Sequence, residues 1–327
     1  MNILVTGGAG FIGSNFIDYV LRHTDHRIIN IDVLTYAATV PDFSAVPSFS
    51  SDRYSFIQSN IADITVDQLR AFAITHVINF AAETHVDRSI SSPDIFIDTN
   101  ITATYLLLKT LRAYHQIYPD VKIVHISTDE VFGQLGVQDA PFTEDSPYAP
   151  NSPYSASKAS SDHLVRAFHH TYNLPIILTN CSNNYGPRQY PEKFIPVIIH
   201  HALQDTAVPV YGTGMNIRDW LYVEDHCRAL YLILCKGNGG DRFNIGGSTE
   251  KTNLEVVHTI FDVLGKTPHI AFVQDRQGHD FRYAINSSHL YTTLGWKPHT
   301  DFQHGIACTV EWYLDNQEWM EQCVPLV

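Results

Sequence analysis

Short apolar runs alternate with helix-period stretches from the second residue onward. NILVT, RIINID, YSFIQ, THVINF, VKIVHIS and PIILTN are rich in β-branched and aromatic residues and read as strands. Helical patterns fall between them, one from about Phe11, a long one over 94–118 and one from about Tyr154. This alternation predicts an α/β fold: a doubly wound, Rossmann-like parallel sheet joined by right-handed crossovers, with its ligand at the carboxyl ends of the strands. After Asn180 the alternation loosens and proline and glycine punctuate the chain, as in YGPRQYPEKFIP and CKGNGGD. We expect a dinucleotide-binding domain over 1–180 and a smaller α+β substrate domain over 181–327, with returning segments near 217–247.

The 327 residues, 44% hydrophobic, are enough for a large core. A balance of 21 basic against 34 acidic residues, net −13, argues against nucleic acid or anionic membranes as partners. No apolar run reaches the about 18 residues of a membrane span. Asn2 to Thr6 already reads as a working strand rather than a secretory leader. The five cysteines show no CxxC pairing and the 18 histidines no ligand spacing, so reduced thiols, a cytoplasmic location and no metal are expected.

Gly7, Gly10 and Gly13 lie between the first strand and the first helix. Glycines there permit a tight turn, close approach to a pyrophosphate and close helix packing, and the helix N-terminus faces the phosphates. Asp32 closes the second strand about twenty residues on, where a carboxylate accepts both ribose hydroxyls and repels a 2′-phosphate. NAD is therefore expected over NADP. In YSASK, Tyr154 and Lys158 stand four apart on one helix face, a phenol and an ammonium suited to taking a proton from a sugar hydroxyl. The stretch ISTDEVFG sets Asp129 and Glu130 side by side at a strand end. On position alone such acids are a solvated loop or an acid and base held at one substrate.

Together TGGAGFIG, D-x-LTYA, AAETHVDRS, STDEVFG, YSASK, NCSNNYGP and DRQGHD resemble the extended short-chain dehydrogenase/reductases, and within them the dTDP-glucose 4,6-dehydratases, along nearly the whole chain. The resemblance implies C4 oxidation by NAD, loss of water across C5 and C6, and hydride return to C6. Tyr154, with Lys158, would take the 4-hydroxyl proton, Glu130 the C5 proton, Asp129 would protonate the leaving 6-hydroxyl, and Thr128 would bond the 4-oxygen. Both acids reach the sugar only if the strand ends by Thr128, because successive strand side chains face opposite ways.

NAD would be held by Gly7, Gly10, Phe11, Ile12, Gly13, Asp32, Leu34, Thr35, Asn60, Ile61, Ala81, Ala82 and Asn184, with Tyr154 and Lys158. The nucleotide-diphosphate sugar, dTDP-glucose or UDP-glucose, would meet Thr84, His85, Thr128, Asn183, Lys193, Phe194, the run Pro209, Val210 and Tyr211, then Arg218, Asn253, Arg276 and His279, with Gly278 and Asp280 in the same DRQGHD segment. A homodimer pairing the helices near Asp94 and Tyr154 is also implied. Phe132 stands where the family commonly has tyrosine and Gln277 where it has proline. The segment 134–150 is short and is expected to cover the sugar pocket. The competing activities are a UDP-sugar 4,6-dehydratase or 4-epimerase; a non-catalytic dinucleotide-binding regulator would not need Tyr154, Lys158, Asp129 and Glu130 together.

Overall fold

The computed structural model of the chain describes residues 1–38 and 46–323. In chain order the strands are β1 (Asn2–Thr6), β2 (Arg27–Asp32), β3 (Tyr54–Gln58), β4 (His76–Asn79), β5 (Lys122–Thr128), β6 (Ile176–Cys181), β7 (Asn183–Tyr185), β8 (Val208–Tyr211), β9 (Ile217–Tyr222), β10 (Arg242–Ile245), β11 (Glu250–Thr252) and β12 (Ile270–Val273). Seven of them form one parallel sheet in the order β10-β6-β5-β4-β1-β2-β3. Strand order reverses between β1 and β4, and a cleft opens there at the carboxyl ends.

Both sheet faces are covered, which explains runs such as NILVT that are apolar without alternation. Ile3 and Val5 enter a core built with the Phe11–His23 and Val223–Lys236 helices. Leu4, between them, faces the other way into a core with the Thr104–His115 and Pro153–Tyr172 helices. A third core, around Tyr185, Ile198, Val210, Trp220, Val257 and Ile306, lies outside the large sheet. Here β11, β9 and β7 make one small sheet, and β12 and β8 another.

The returning segment begins later than the pattern suggested. The Val223–Lys236 helix packs on the Phe11–His23 helix and β10 joins the large sheet beside β6, whereas β9, at the start of the expected return, pairs with β7 and β11. The long helix expected over 94–118 is present over 94–115, but Ile97–Ala103 is a π-helical turn. Its inward residue, Asn100, clasps the backbone of Glu83 with both amide atoms, at 2.9 and 3.0 Å, and donates to Ser157 at 2.8 Å. A wider turn lets one buried side chain hold two other elements at the cleft.

Candidate active site

The glycine loop is shaped by what stands around it. Gly7 has φ +71°, and a Cβ there would stand 2.6 Å from the Ala81 nitrogen, so only glycine lets the loop lie on the strand beside it. A Cβ at Gly13 would strike the Gly7 carbonyl. Gly10 differs: its Cβ position meets only that carbonyl, at 3.4 Å, and is otherwise open. Gly10 also caps the Phe11–His23 helix without a side-chain bond, leaving the helix N–H groups and positive dipole end directed at the cleft. Asp32 ends β2 on the same wall, its carboxylate accepting the Ala9 N–H at 2.9 Å and the Leu34 N–H at 2.8 Å. Burial raises its pKa. Phe11, Ile12, Thr35, Asn60, Ile61, Ala81 and Ala82 line this half of the cleft, and Leu34 takes a left-handed φ of 57° to make the turn.

At the catalytic half β5 stops at Thr128, and Asp129–Phe132 is one turn of 3-10 helix. The Thr128 hydroxyl caps it, accepting the Glu130 N–H at 3.3 Å. In a helical turn successive side chains diverge by about 120° rather than 180°, so Thr128, Asp129 and Glu130 all reach the cleft wall. Tyr154 and Lys158 lie in the first turns of the Pro153–Tyr172 helix, started by a capping box of Ser152 and Ser155. Both line the same cleft and are buried.

Burial raises the pKa of Asp129 well above the carboxylate range, and the Glu130 charge raises it further. Its Oδ2 is buried without a hydrogen bond, while Oδ1 receives only the Thr128 hydroxyl at 3.4 Å. Glu130 is also raised by burial, but Arg276, Arg218 and Lys193 pull against that. Both neighbours are thus pushed toward the protonated form, Asp129 with the Glu130 charge adding to burial and Glu130 with three cations opposing it.

Tyr154 departs from expectation. Its phenol is raised well above the ordinary value by burial and by Glu130, and the group that favours phenolate is the Thr128 hydroxyl, not Lys158. The Lys158 ammonium donates instead to the Ile126 carbonyl at 2.8 Å.

Of the expected substrate residues, Thr84, Asn183 and Lys193 stand on the cleft wall. Lys193 donates to the Thr84 carbonyl at 2.9 Å, and Asn183 keeps a buried Oδ1 without a hydrogen bond. Asn184 is oriented by His226 through a 2.9 Å contact. Arg218 is buried, lies 4.4 Å over the Tyr283 ring and spends donors on the Asp280, Phe281 and Ile217 carbonyls. Arg276 is 3.6 Å from Asp87, which also receives the Tyr211 hydroxyl. His279 bonds Asp275 at 2.6 Å and packs edge-on to Tyr211.

Other expected residues lie off that wall. His85 caps the Val86–Ser91 helix through Nδ1. Phe194 packs on Trp220, and Val210 is fully buried in the third core. Pro209 is exposed on the β8 surface, and Asn253 opens the Asn253–Leu264 helix by bonding Asn216.

The segment 134–150 contributes no residue to this wall. It is tied to 282–285 through Leu135 and Phe142 and to β10 through Glu144, while Phe132 stacks beneath it on Phe142 and Tyr148. The departure at Phe132 therefore falls on packing, away from the cleft wall.

Sequence reasoning missed Glu83, Thr99, Gln189, Tyr190 and Glu192, all on the wall. Glu83 follows β4 as Asp32 ends β2, an acid at a strand's carboxyl end, and that position was its signal. Glu192 receives Tyr36 at 3.0 Å and Arg88 at 3.2 Å, contacts joining segments far apart in the chain with no local pattern.

Residues 4–309 match the family model described as GDP-mannose 4,6 dehydratase. The dTDP-glucose 4,6-dehydratase of Shigella flexneri is 50% identical over 98% of this chain and 95% of its own length. The dTDP-glucose 4,6-dehydratase of Streptomyces venezuelae, solved with NAD bound, superposes with a TM-score of 0.92 at 40% identity, covering 99% of this chain and all of that one. That of Bacillus anthracis, solved in complex with NAD, gives 0.89 at 45% identity with the same coverage. The glycine loop, the paired acids and the tyrosine-lysine helix are thus features of a chain that belongs to the nucleotide-sugar 4,6-dehydratase family, beside the dTDP-glucose 4,6-dehydratases.

Proposed function

We propose that the protein is an NAD-dependent lyase that converts dTDP-glucose to dTDP-4-keto-6-deoxyglucose. The observation that carries this is a pair of neighbouring carboxyls on one wall, Asp129 raised well above its ordinary value and Glu130 raised against the pull of three cations, the acid and base that elimination of water needs and epimerisation does not.

The residues fit NAD: an open cradle at Gly10, an uncapped helix N-terminus and the Asp32 carboxylate share one cleft with Tyr154 and Lys158. Bound there, NAD supplies the hydride acceptor for C4 and, reduced, the donor for C6. Tyr154 removes the 4-hydroxyl proton, with Thr128 bonding the same oxygen. Glu130 takes the C5 proton, acidified by the 4-ketone, and Asp129 gives its proton to the 6-hydroxyl as water leaves. Glu130 then returns a proton to C5. Lys193, Arg218 and Arg276, gathered near Glu130, offer positive charge to the diphosphate.

The same reading assigns 1–180 with 223–245 to NAD and the remainder to the sugar nucleotide. It also makes the protein a cytoplasmic homodimer, which five free thiols and exposed Ile95, Ile97 and Tyr105 support. Among the described residues no helix is long and apolar enough to cross a membrane.

The test is incubation with dTDP-glucose and UDP-glucose in parallel, scoring the 4-keto-6-deoxy sugar by its chromophore in alkali. Product from dTDP-glucose supports the reading, product only from UDP-glucose moves the activity to the uridine nucleotide, and a 4-epimer without dehydration overturns it.

A further inference from the structure

The helix that carries Tyr154 and Lys158 carries a third ionisable residue at the same spacing. Tyr154, Lys158 and Asp162 recur every four residues, lie on one face and are buried, Asp162 to 1% exposure. Nothing in the reaction scheme uses Asp162. A buried carboxylate with no task is unusual, because removing its charge from water is costly unless the surroundings restore the loss.

Those surroundings are arranged for a charge. Three neutral donors converge on Oδ2: the Ser127 hydroxyl from β5 at 2.8 Å, the Tyr148 hydroxyl at 3.0 Å and the Asn180 amide from β6 at 3.3 Å. The other oxygen, Oδ1, has no hydrogen bond, and His125 on β5 approaches it to 3.8 Å. Burial drives His125 far toward its neutral form, so it is no counter-cation. Lys158 is the cation whose field Asp162 feels, and Asp162 is the first of the groups that hold Lys158 protonated, ahead of Cys181.

Among the described residues, the other charged groups around this helix are engaged elsewhere. Arg242, on β10, acts on Tyr148, and from the Ile97–Ala103 turn Asn100 bonds the Glu83 backbone and Ser157. Glu130 and Asp129, in the turn after β5, face Tyr154. Arg112 of the Thr104–His115 helix stacks on Tyr172, at the far end of the Pro153–Tyr172 helix.

We propose that Asp162 is a positioning residue of the oxidation step: one helical turn along from Lys158, it is the buried counter-charge that keeps Lys158 an ammonium while that ammonium donates to the Ile126 carbonyl. This inference rests on the dehydratase reading for its place in catalysis, but not for its electrostatics. Burial pushes Lys158 toward the neutral amine, and at Asp162 it outweighs Lys158 and the three hydrogen bonds, leaving that carboxyl up at about 6. The pair therefore exists above that value, and lowering the pH through it protonates Asp162 and removes the partner.

The test titrates Lys158 directly. Protein grown with lysine labelled at Cε is titrated by carbon NMR, the Lys158 signal being the one lost in Lys158→Met. In Asp162→Asn the Lys158 pKa is expected to fall by about one unit or more. A fall smaller than about 0.3 overturns the proposal. In turnover with dTDP-glucose the variant should lose kcat by about tenfold or more with KM little changed, and adding it to Lys158→Met should cost nothing further. A loss seen only as a lower melting temperature means a structural role and refutes it.

Should Asp162→Asn fail to fold, Tyr148→Phe removes one donor and leaves the carboxylate in place. Asp162 then protonates at higher pH, so the acid-side break in the Lys158 titration should move upward; an unmoved break refutes the proposal. Wild-type protein that makes no product would defeat the dehydratase reading while leaving the NMR result standing.

Discussion

At the residue scale the division of labour between neighbours is the testable point. Glu130→Gln keeps shape but cannot accept the C5 proton, whereas C4 oxidation relies on Tyr154. The variant should stall with reduced nicotinamide visible by its absorbance and lose about 10²–10⁴-fold in turnover, while Tyr154→Phe should show almost no reduction. Normal turnover by Glu130→Gln would refute the assignment. The pH dependence has a defined sign. Both carboxyls are raised by burial, Asp129 the further because Glu130 is its neighbour and Glu130 the less because three cations surround it. Turnover should fall on the acid side as Glu130 takes up a proton and on the alkaline side as Asp129 loses one. Asp129→Asn should retain C4 oxidation and the acid limb but lose dehydration, readable as reduced nicotinamide without product.

At the scale of elements, the site is made where regular structure ends. The strand β5 gives way to a single 3-10 turn because the Thr128 hydroxyl caps the Glu130 N–H, and one more residue of strand would turn Glu130 from Asp129 to the opposite face. The glycine loop separates two kinds of constraint. A Cβ at Gly13 collides with the Gly7 carbonyl and approaches the Gly8 Cα to 2.8 Å, so Gly13→Ala should cost about 1–3 kcal/mol of stability along with cofactor. Gly10→Ala meets little protein, and should keep its melting temperature while releasing less nicotinamide nucleotide on denaturation than wild type. Equal losses in both variants would show that the loop does not have an open side at Gly10.

At the scale of the whole molecule, Ile95, Ile97 and Tyr105 are exposed on the 94–115 helical stretch, beside the helix that carries Tyr154. Covering that face by a second copy makes a dimer the expected species, by light scattering at micromolar concentration; a monomer there would count against the assembly. Because such an interface would press on the catalytic helix, a charge placed at Ile97 should both dissociate the dimer and lower turnover.

The sequence alone determined the parallel sheet, the dinucleotide loop with Asp32, the tyrosine-lysine helix and the paired acids. Each is set by local rules: strand and helix periods, glycine where a Cβ would collide, and side chains four apart on one helical face. Only the tertiary structure decided the rest. Arg276, Arg218 and Lys193, distant in sequence, meet around Glu130 and oppose the effect of its burial, and Arg218 acts on Asp129 as well. Val210 turned into a core and the segment 134–150 was tied to 282–285 and β10, because packing partners, not local pattern, choose which face of a strand or loop is buried. Lys158 bonded a carbonyl one helical turn from Asp162, since a buried ammonium takes whatever compensates its desolvation, and that depends on the burial only the folded chain creates.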